Sequence, residues 1–375
     1  MKVKIQRSAL LSGLQRVQGV VEKRNTMPVL ANILLEAKDS QVTIFGTDLE
    51  IGIKDSLPAE VSEEGGITVS ARKLFEITRE LPEGAIRLTG TDKNWLRIEA
   101  GKSEFRLAGL LPQEFPSIPA VEAEQTIPVS RKTLLEVIRK TIFAVGDNDA
   151  RYILNGMLVH IESKGKKPLL RLVGTDGHRL AVIERELANG KTAKADSDEI
   201  SAIVPKKAAL EIKKLLEENE DEPELGVSRN QLIFRRGQVL LFARLMEGNY
   251  PNYQQVIPKE SDKKISVDRS LLEGALRRVS LMAKEKTSAI RVSLEPGALV
   301  LASSNPELGE ARETVPMDYK GESLVTGFNA RYLLDALGAI EGNNAFFEFK
   351  EAISPCLIRQ EGDKNYFCVV MPMRV

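Results

Sequence analysis

A chain of 375 residues is too long for one ordinary hydrophobic core and calls for two to four domains. With 42% apolar and 28% charged residues it reads as globular, and no run reaches the roughly 18 consecutive apolar residues a membrane span needs. Its 53 Lys and Arg balance 53 Asp and Glu, which argues on its face against a surface that grips nucleic acid through uniform positive charge.

The N-terminal run MKVKIQRSALL carries no signal-peptide pattern, and the cysteines are Cys356 and Cys368, twelve residues apart. A cytoplasmic protein with reduced, buried thiols is expected. Ile5-Gln6-Arg7-Ser8-Ala9-Leu10-Leu11 opens a predicted helix over residues 7–24, with Leu10, Leu14, Val17 and Val21 at helical spacing. The β-branched run Val42-Thr43-Ile44-Phe45 predicts a strand, followed by the turn Gly46-Thr47-Asp48. A second helix is predicted over residues 71–80, and Ile86-Arg87-Leu88 predicts a strand before Gly90-Thr91-Asp92.

The same order of elements then returns twice. Val129-Ser130-Arg131-Lys132-Thr133-Leu134-Leu135 and Val267-Asp268-Arg269-Ser270-Leu271-Leu272 repeat the opening, so the marker arginines Arg7, Arg131 and Arg269 stand 124 and 138 residues apart. Helices are predicted over residues 131–140, 206–216, 269–286 and 329–337, with strands at Leu169–Val173 and Ala298–Leu301. The turn recurs as Gly174-Thr175-Asp176. With Pro-rich connectors at residues 111–119 and 250–258, three repeated α+β domains follow: 1–120, 127–250 and 262–375. Each is built from two strand, helix and strands units.

Charge is sorted by element type. The six predicted helices hold twenty-one Lys and Arg against eight Asp and Glu, about +13, so strands and loops carry about −13. Arg16/Lys23, Arg72/Arg79, Lys132/Arg139, Lys206/Lys213 and Arg277/Lys284 are seven apart, on one helix face, and the ninth residue after each marker arginine is basic: Arg16, Lys140 and Arg278. A basic helical face without interleaved aromatics suits contact with a phosphate backbone and no sequence readout.

Catalytic signatures are missing. Ala100-Gly101-Lys102-Ser103 mimics the end of a phosphate-binding loop, but Leu96 stands where its first glycine belongs. Two histidines and two separated cysteines do not make a zinc site, and Asp147-Asn148-Asp149 lacks the glycine and spacing of a calcium loop. No cofactor or metal is expected, and no residue is assigned a catalytic role.

Gly174-Thr175-Asp176-Gly177-His178-Arg179-Leu180-Ala181, Arg151-Tyr152-Ile153-Leu154-Asn155-Gly156-Met157, Asn249-Tyr250-Pro251-Asn252-Tyr253 and the terminal Val370-Met371-Pro372-Met373-Arg374-Val375 resemble the bacterial DNA polymerase III beta subunit family, the β sliding clamps. The resemblance spans the chain and implies the DNA clamp fold: a head-to-tail homodimer closing a ring of six domains, helices lining the hole and sheets outside, which encircles duplex DNA. It implies no enzymatic activity and no membrane partner. The implied partners are the DNA polymerase III alpha subunit, the clamp loader, and other DNA polymerases and repair proteins, each docking a short linear motif.

The resemblance also implies residue roles. A partner-peptide pocket would hold Arg151, Leu154, Thr175, Gly177, His178, Arg179, Leu180, Pro251, Gln255, Val256, Val369, Met371, Pro372, Met373 and Arg374, an apolar trough with adaptable methionines. Arg24, Asn148, Tyr152, Arg72, Lys206 and Lys207 would meet DNA; Lys73, Phe105, Leu107, Leu281 and Met282 would form the dimer interface. Gln255 replaces an Arg of some members, Ile153 a Tyr, and Val375 a terminal Leu. Two other readings stay open from residues alone: an enzyme acting on nucleic acid through a cryptic acidic site, and a peptide-binding scaffold that never encircles DNA.

Overall fold

The computed structural model describes residues 1–21, 27–91, 93–117, 126–162, 168–187, 199–228, 230–285 and 287–374. Among the described residues six α-helices stand among antiparallel strands: α1 (Arg7–Gln18), α2 (Ala71–Glu80), α3 (Arg131–Arg139), α4 (Lys206–Glu218), α5 (Arg269–Ser280) and α6 (Ala330–Gly338). Every one begins within three residues of a strand's end, as the repeated sequence pattern requires. Polar side chains set several starts: Ser70 accepts from the Lys73 amide at α2, Asp268 from that of Leu271 at α5, and Asn329 from that of Arg331 at α6.

The repeated arginine has a structural task. Arg7 donates to the Thr78 carbonyl at 3.0 Å, Arg131 to that of Leu216 at 2.7 Å, and Arg269 to that of Ile340 at 2.8 Å. In each repeat it therefore ties the first helix to the end of the second, where orphan carbonyls favour a cation.

Two helices stop short of the prediction. α1 ends at Gln18 and α5 at Ser280, where the pattern had carried them to residues 24 and 286. Gly19 followed by Val20 and Val21 has poor helix propensity, and the Ser280 hydroxyl takes the Arg277 carbonyl at 2.8 Å. The six helices accordingly hold sixteen Lys and Arg against eight Asp and Glu, a smaller excess than predicted. Lys284 falls outside α5, so Arg277/Lys284 is not a pair on one helix. Lys23 and Arg24 lie outside the described residues.

Strand pairing divides the described chain into two compact units. In the first, Met1–Arg131 with Lys207–Leu245, a thirteen-stranded sheet is continuous because Ile51–Pro58 pairs with Val239–Arg244. In the second, an eight-stranded sheet is continuous because Arg179–Glu186 pairs with Asp363–Val370, and a separate four-stranded sheet contains Ala289–Glu295. Alternate residues of these strands fill the cores, while the helices add Leu10, Leu14 and Val17 or Leu272, Leu276 and Val279 from one face.

Cys356 and Cys368 are free and buried in neighbouring strands of the eight-stranded sheet. Burial pushes the Cys356 thiol well up and that of Cys368 to about 12. Both stay protonated at pH 8, so neither should react with a thiol reagent in the folded protein. Two thiols per chain should titrate after unfolding in denaturant; a fast-reacting thiol in the native state would contradict this.

Candidate functional site

An apolar opening lies within the second unit, where the sharp turn after Leu169–Thr175 meets the end of Asp363–Val370. The turn is closed by its own side chains. Thr175 Oγ1 donates to the Arg179 carbonyl at 2.7 Å and accepts from the Gly177 amide at 3.0 Å; Asp176 Oδ1 accepts from the amides of His178 and Arg179 at 2.9 and 3.0 Å. Gly177 sits at φ +81°, a conformation that favours glycine, and a Cβ there would come within 2.6 Å of Arg151 Nη1.

Arg151 is fixed in that space. Its guanidinium donates to the Asp176 carbonyl at 2.8 Å and to both oxygens of Asp149 at 2.9 and 3.0 Å. Those hydrogen bonds hold the Asp149 carboxyl down at about 2, so the pair stays ionised at neutral pH. Asp149 is in turn bracketed by Asn155 through two backbone contacts.

The floor is apolar. Leu180 and Val369 face each other across the strand pair and join Val173, Val182 and Leu357 in one buried cluster, over which Tyr250 and Tyr253 pack. Tyr250 donates to the Val173 carbonyl at 3.1 Å, and burial pushes its hydroxyl pKa up. The tail is tied down by the Met371 amide to the His178 carbonyl and the Met373 amide to that of Gly327, each at 2.8 Å.

The resulting cavity holds about 300 Å³ and is lined by Arg151, Ile153, Leu154, Thr175, Gly177, Arg179, Leu180, Pro251, Asn252, Tyr253, Val256, Val369 and Met371. Such a space, apolar with a few polar groups at its margin, suits a short extended peptide with apolar side chains. Ten of its residues are among those the sequence marked; Ile153, Asn252 and Tyr253 are additions. Tyr253 follows Pro251 in a single turn of 3-10 helix, Tyr253–Val256, a signal the motif Asn249-Tyr250-Pro251-Asn252-Tyr253 already held.

Other marked residues stand elsewhere. His178 stacks on Tyr332 with ring centres 6.4 Å apart, Gln255 is exposed, and Pro372, Met373 and Arg374 do not line the cavity. Arg179 lies over the same Tyr332 ring at 4.5 Å and forms an ion pair with Asp335. Val375 lies outside the described residues.

The basic position nine residues after each marker arginine is bound up in the fold. Arg16 pairs with buried Asp55 at 2.6 Å and with Glu218 at 2.7 Å, and Arg278 with Glu313 at 2.7 Å. Lys140 is 3% exposed, over the Tyr366 ring and bonded to Gln360 at 2.9 Å. Arg16 and Lys140 are taken up within the fold and the exposed Arg278 is paired with an acid, so the repeat of charge is no measure of a free cationic face. Among the residues marked for DNA, Tyr152 is exposed and Asn148 occupies a turn at φ +55°. Arg72 pairs with Glu76 at 2.7 Å, Lys206 donates to the Val145 carbonyl at 2.9 Å, and Lys207 pairs with Asp48. Arg24 lies outside the described residues.

Apolar side chains are bare at the residues marked for the dimer. Leu281 is 71% exposed on the turn after α5 with Met282 half-buried beside it; Phe105 is 40% exposed and Leu107 half-buried on Ser103–Leu110. Ser103–Ala108 of that strand pair with Trp95–Ala100, and among the described residues only Gly109 and Leu110 pair further, with Gly65–Ser70. Lys73 pairs with Glu76 at 2.8 Å on α2.

Comparison with known proteins matches the whole chain. Family profiles for the DNA polymerase III beta subunit match as its N-terminal domain over residues 1–119, its central domain over 128–252 and its C-terminal domain over 254–374. The chain is 39% identical to the "Beta sliding clamp" of Caulobacter vibrioides over 378 residues, covering 100% of both, and 36% identical to that of Pseudomonas aeruginosa over 372 residues, covering 99% of both. Among solved structures it resembles the DNA polymerase sliding clamp of Caulobacter crescentus, with TM-score 0.92, 38% identity and 100% of both chains covered. That of Bacillus subtilis gives TM-score 0.93 at 30% identity, covering 100% of this chain and 99% of the other.

Proposed function

Since the chain belongs to the DNA polymerase III beta subunit family, the β sliding clamps, and is a processivity clamp of DNA replication, we propose that two copies join head to tail into a ring around duplex DNA and recruit their partners through the cleft at Leu180 and Val369. The observation that carries the recruitment half is the apolar cavity of about 300 Å³, with Arg151 and Arg179 at its margin. A peptide with aliphatic and aromatic residues buries them on Leu180, Val369 and Met371, while its polar groups meet the marginal cations.

The ring half rests on the likeness over the full chain and on the exposed apolar pair Leu281 and Met282, for which Phe105 and Leu107 on an open strand edge are the complementary surface. The clamp domains are then 1–120, 127–250 and 262–375. Asn148 and Tyr152 touch the DNA backbone, with Arg72, Lys206 and Lys207 adding weak, exchangeable attraction. In this reading the protein works in the cytoplasm, does no chemistry of its own, and serves the polymerase alpha subunit, the clamp loader, and other DNA polymerases and repair proteins in turn.

A topological test separates encirclement from surface binding. Protein loaded onto nicked circular DNA should be retained in 0.5 M salt and lost once the circle is cut, because salt at this level weakens phosphate contacts but leaves a closed ring linked. Retention after linearisation would overturn the ring, and release from the intact circle by salt alone would reduce the protein to an ordinary surface binder.

A further inference from the structure

The turn that shapes the cleft has a twin in the first unit. Thr47 Oγ1 donates to the Ile51 carbonyl at 2.8 Å and accepts from the Leu49 amide at 2.9 Å, while Asp48 Oδ1 accepts from the amides of Glu50 and Ile51 at 3.0 and 2.7 Å. This is the bonding of Thr175 and Asp176, residue for residue, with Leu49 at φ +77° where Gly177 stands at +81°. The strands that follow are paired alike. Ile51–Pro58 meets Val239–Arg244 with Gly52 opposite Phe242, as Leu180 is opposite Val369, and the Arg244 amide bonds the Glu50 carbonyl at 2.8 Å as that of Met371 bonds His178.

The fillings differ. In place of Val173, Leu180 and Val369 the first unit has Phe45, Gly52 and Phe242, and the Phe242 ring comes within 2.2 Å of where a Cβ on Gly52 would be. Phe115, from the Pro-rich connector, packs edge-on to Phe45 at 5.6 Å; it is 6% exposed and Phe242 4%. At the corresponding connector of the second unit, Tyr253 is only half-buried and Val256 is exposed, and the space is open.

We propose that the first unit contains a second copy of the cleft, held shut by Phe242 and Phe115, and that removing the Phe242 ring opens it to an aromatic ligand of one ring. The chain's own phenylalanines supply here what a ligand supplies at the open cleft. Apolar cavities made by deleting a large side chain stay dry and take up benzene-sized molecules, and the remaining wall of Phe45, Phe115 and Leu34 is wholly apolar. The inference rests on the paired geometry of the two turns and not on what the open cleft binds.

The test uses the full chain. Phe242→Ala should bind one toluene per chain more than the wild type by equilibrium dialysis, with the extra molecule beside Phe45 in a soaked crystal. The open cleft takes up any toluene it binds equally in both proteins and so cancels. A folded Phe242→Ala with unchanged stoichiometry, or toluene beside Phe45 in the wild type, would overturn the proposal. Should Phe242→Ala not fold, Phe115→Ala, on the connector outside the sheet, asks the same question with the same outcomes. A second measurement reads the plug itself: Gly52→Ala should lower Tm sharply in the wild type and little in Phe242→Val, and equal losses in both would also overturn it.

Discussion

Replacing Leu281 and Met282 together by alanine should convert the protein from a dimer into monomers near 41.5 kDa in sedimentation at micromolar concentration. Both side chains sit on the turn that ends α5, where the Leu281 and Met282 amides bond the carbonyls of Arg278 and Val279, so the backbone that presents them is fixed by bonds the substitutions leave intact. Leu281 is 71% exposed within the chain, so its truncation removes little from the chain's own core. Full burial of a Leu or Met side chain is worth about 1.5–3 kcal/mol, so losing two weakens each contact by about 3–6 kcal/mol, a factor of roughly 10² to 10⁴.

A head-to-tail ring contains two such contacts, and both are weakened at once. Retention on circular DNA should fall with the dimer, while peptide binding at the cleft, formed within one chain, should survive. Since an exposed position such as Leu281 seldom alters stability by more than about 0.5 kcal/mol, any fall in Tm should come from the half-buried Met282 and from the loss of the partner subunit. A variant that remains dimeric at micromolar concentration would place the contact elsewhere.

Removing residues 371–375 should abolish measurable binding of a partner peptide at micromolar concentration and leave the dimer intact. The deletion takes away the Met371 wall of the cavity and the Met371-to-His178 and Met373-to-Gly327 bonds that hold the tail across two sheets. Loss of one apolar wall alone costs about 1.5–3 kcal/mol, or roughly 10- to 150-fold in Kd, and freeing the turn at His178 adds to it. Val369 and Val370 stay, since Asp363–Val370 is paired on both sides, and the buried cluster below the cleft keeps the unit folded. An unchanged Kd by calorimetry would show that partners dock somewhere other than this cleft.

These two surfaces were legible in the sequence to different degrees. Ten cavity residues could be marked because the motifs around Thr175, Pro251 and Met371 resemble those of the family, and the pocket was read from that likeness. His178, marked for the pocket, is not among the residues lining the cavity and stacks on Tyr332 of α6, more than 150 residues away in sequence. Ile153, noted in the sequence only as replacing a Tyr of some members, was not marked for the cavity that it lines. The charge argument was half right. Helices do carry an excess of cations, but Arg16, Lys140 and Arg278 answer acids in distant strands. Sequence spacing reports which residues share a helix face, not what that face meets.

By itself the sequence determined the local grammar of this protein: three copies of an arginine-led helix with the strands around it, fixed by periodicity, capping side chains and turn chemistry that act over a few residues. The helix ends at Gly19 and Ser280 were also written locally, in propensities outweighed by a longer apolar pattern. Only the tertiary structure decided what two nearly identical turns became. One meets Val369 and leaves a cavity; its twin meets Phe242 across Gly52 and is filled. The difference lies in side-chain volume brought together from strands some 190 residues apart in sequence, and packing volume, unlike a turn's hydrogen bonds, exists only once those strands have paired.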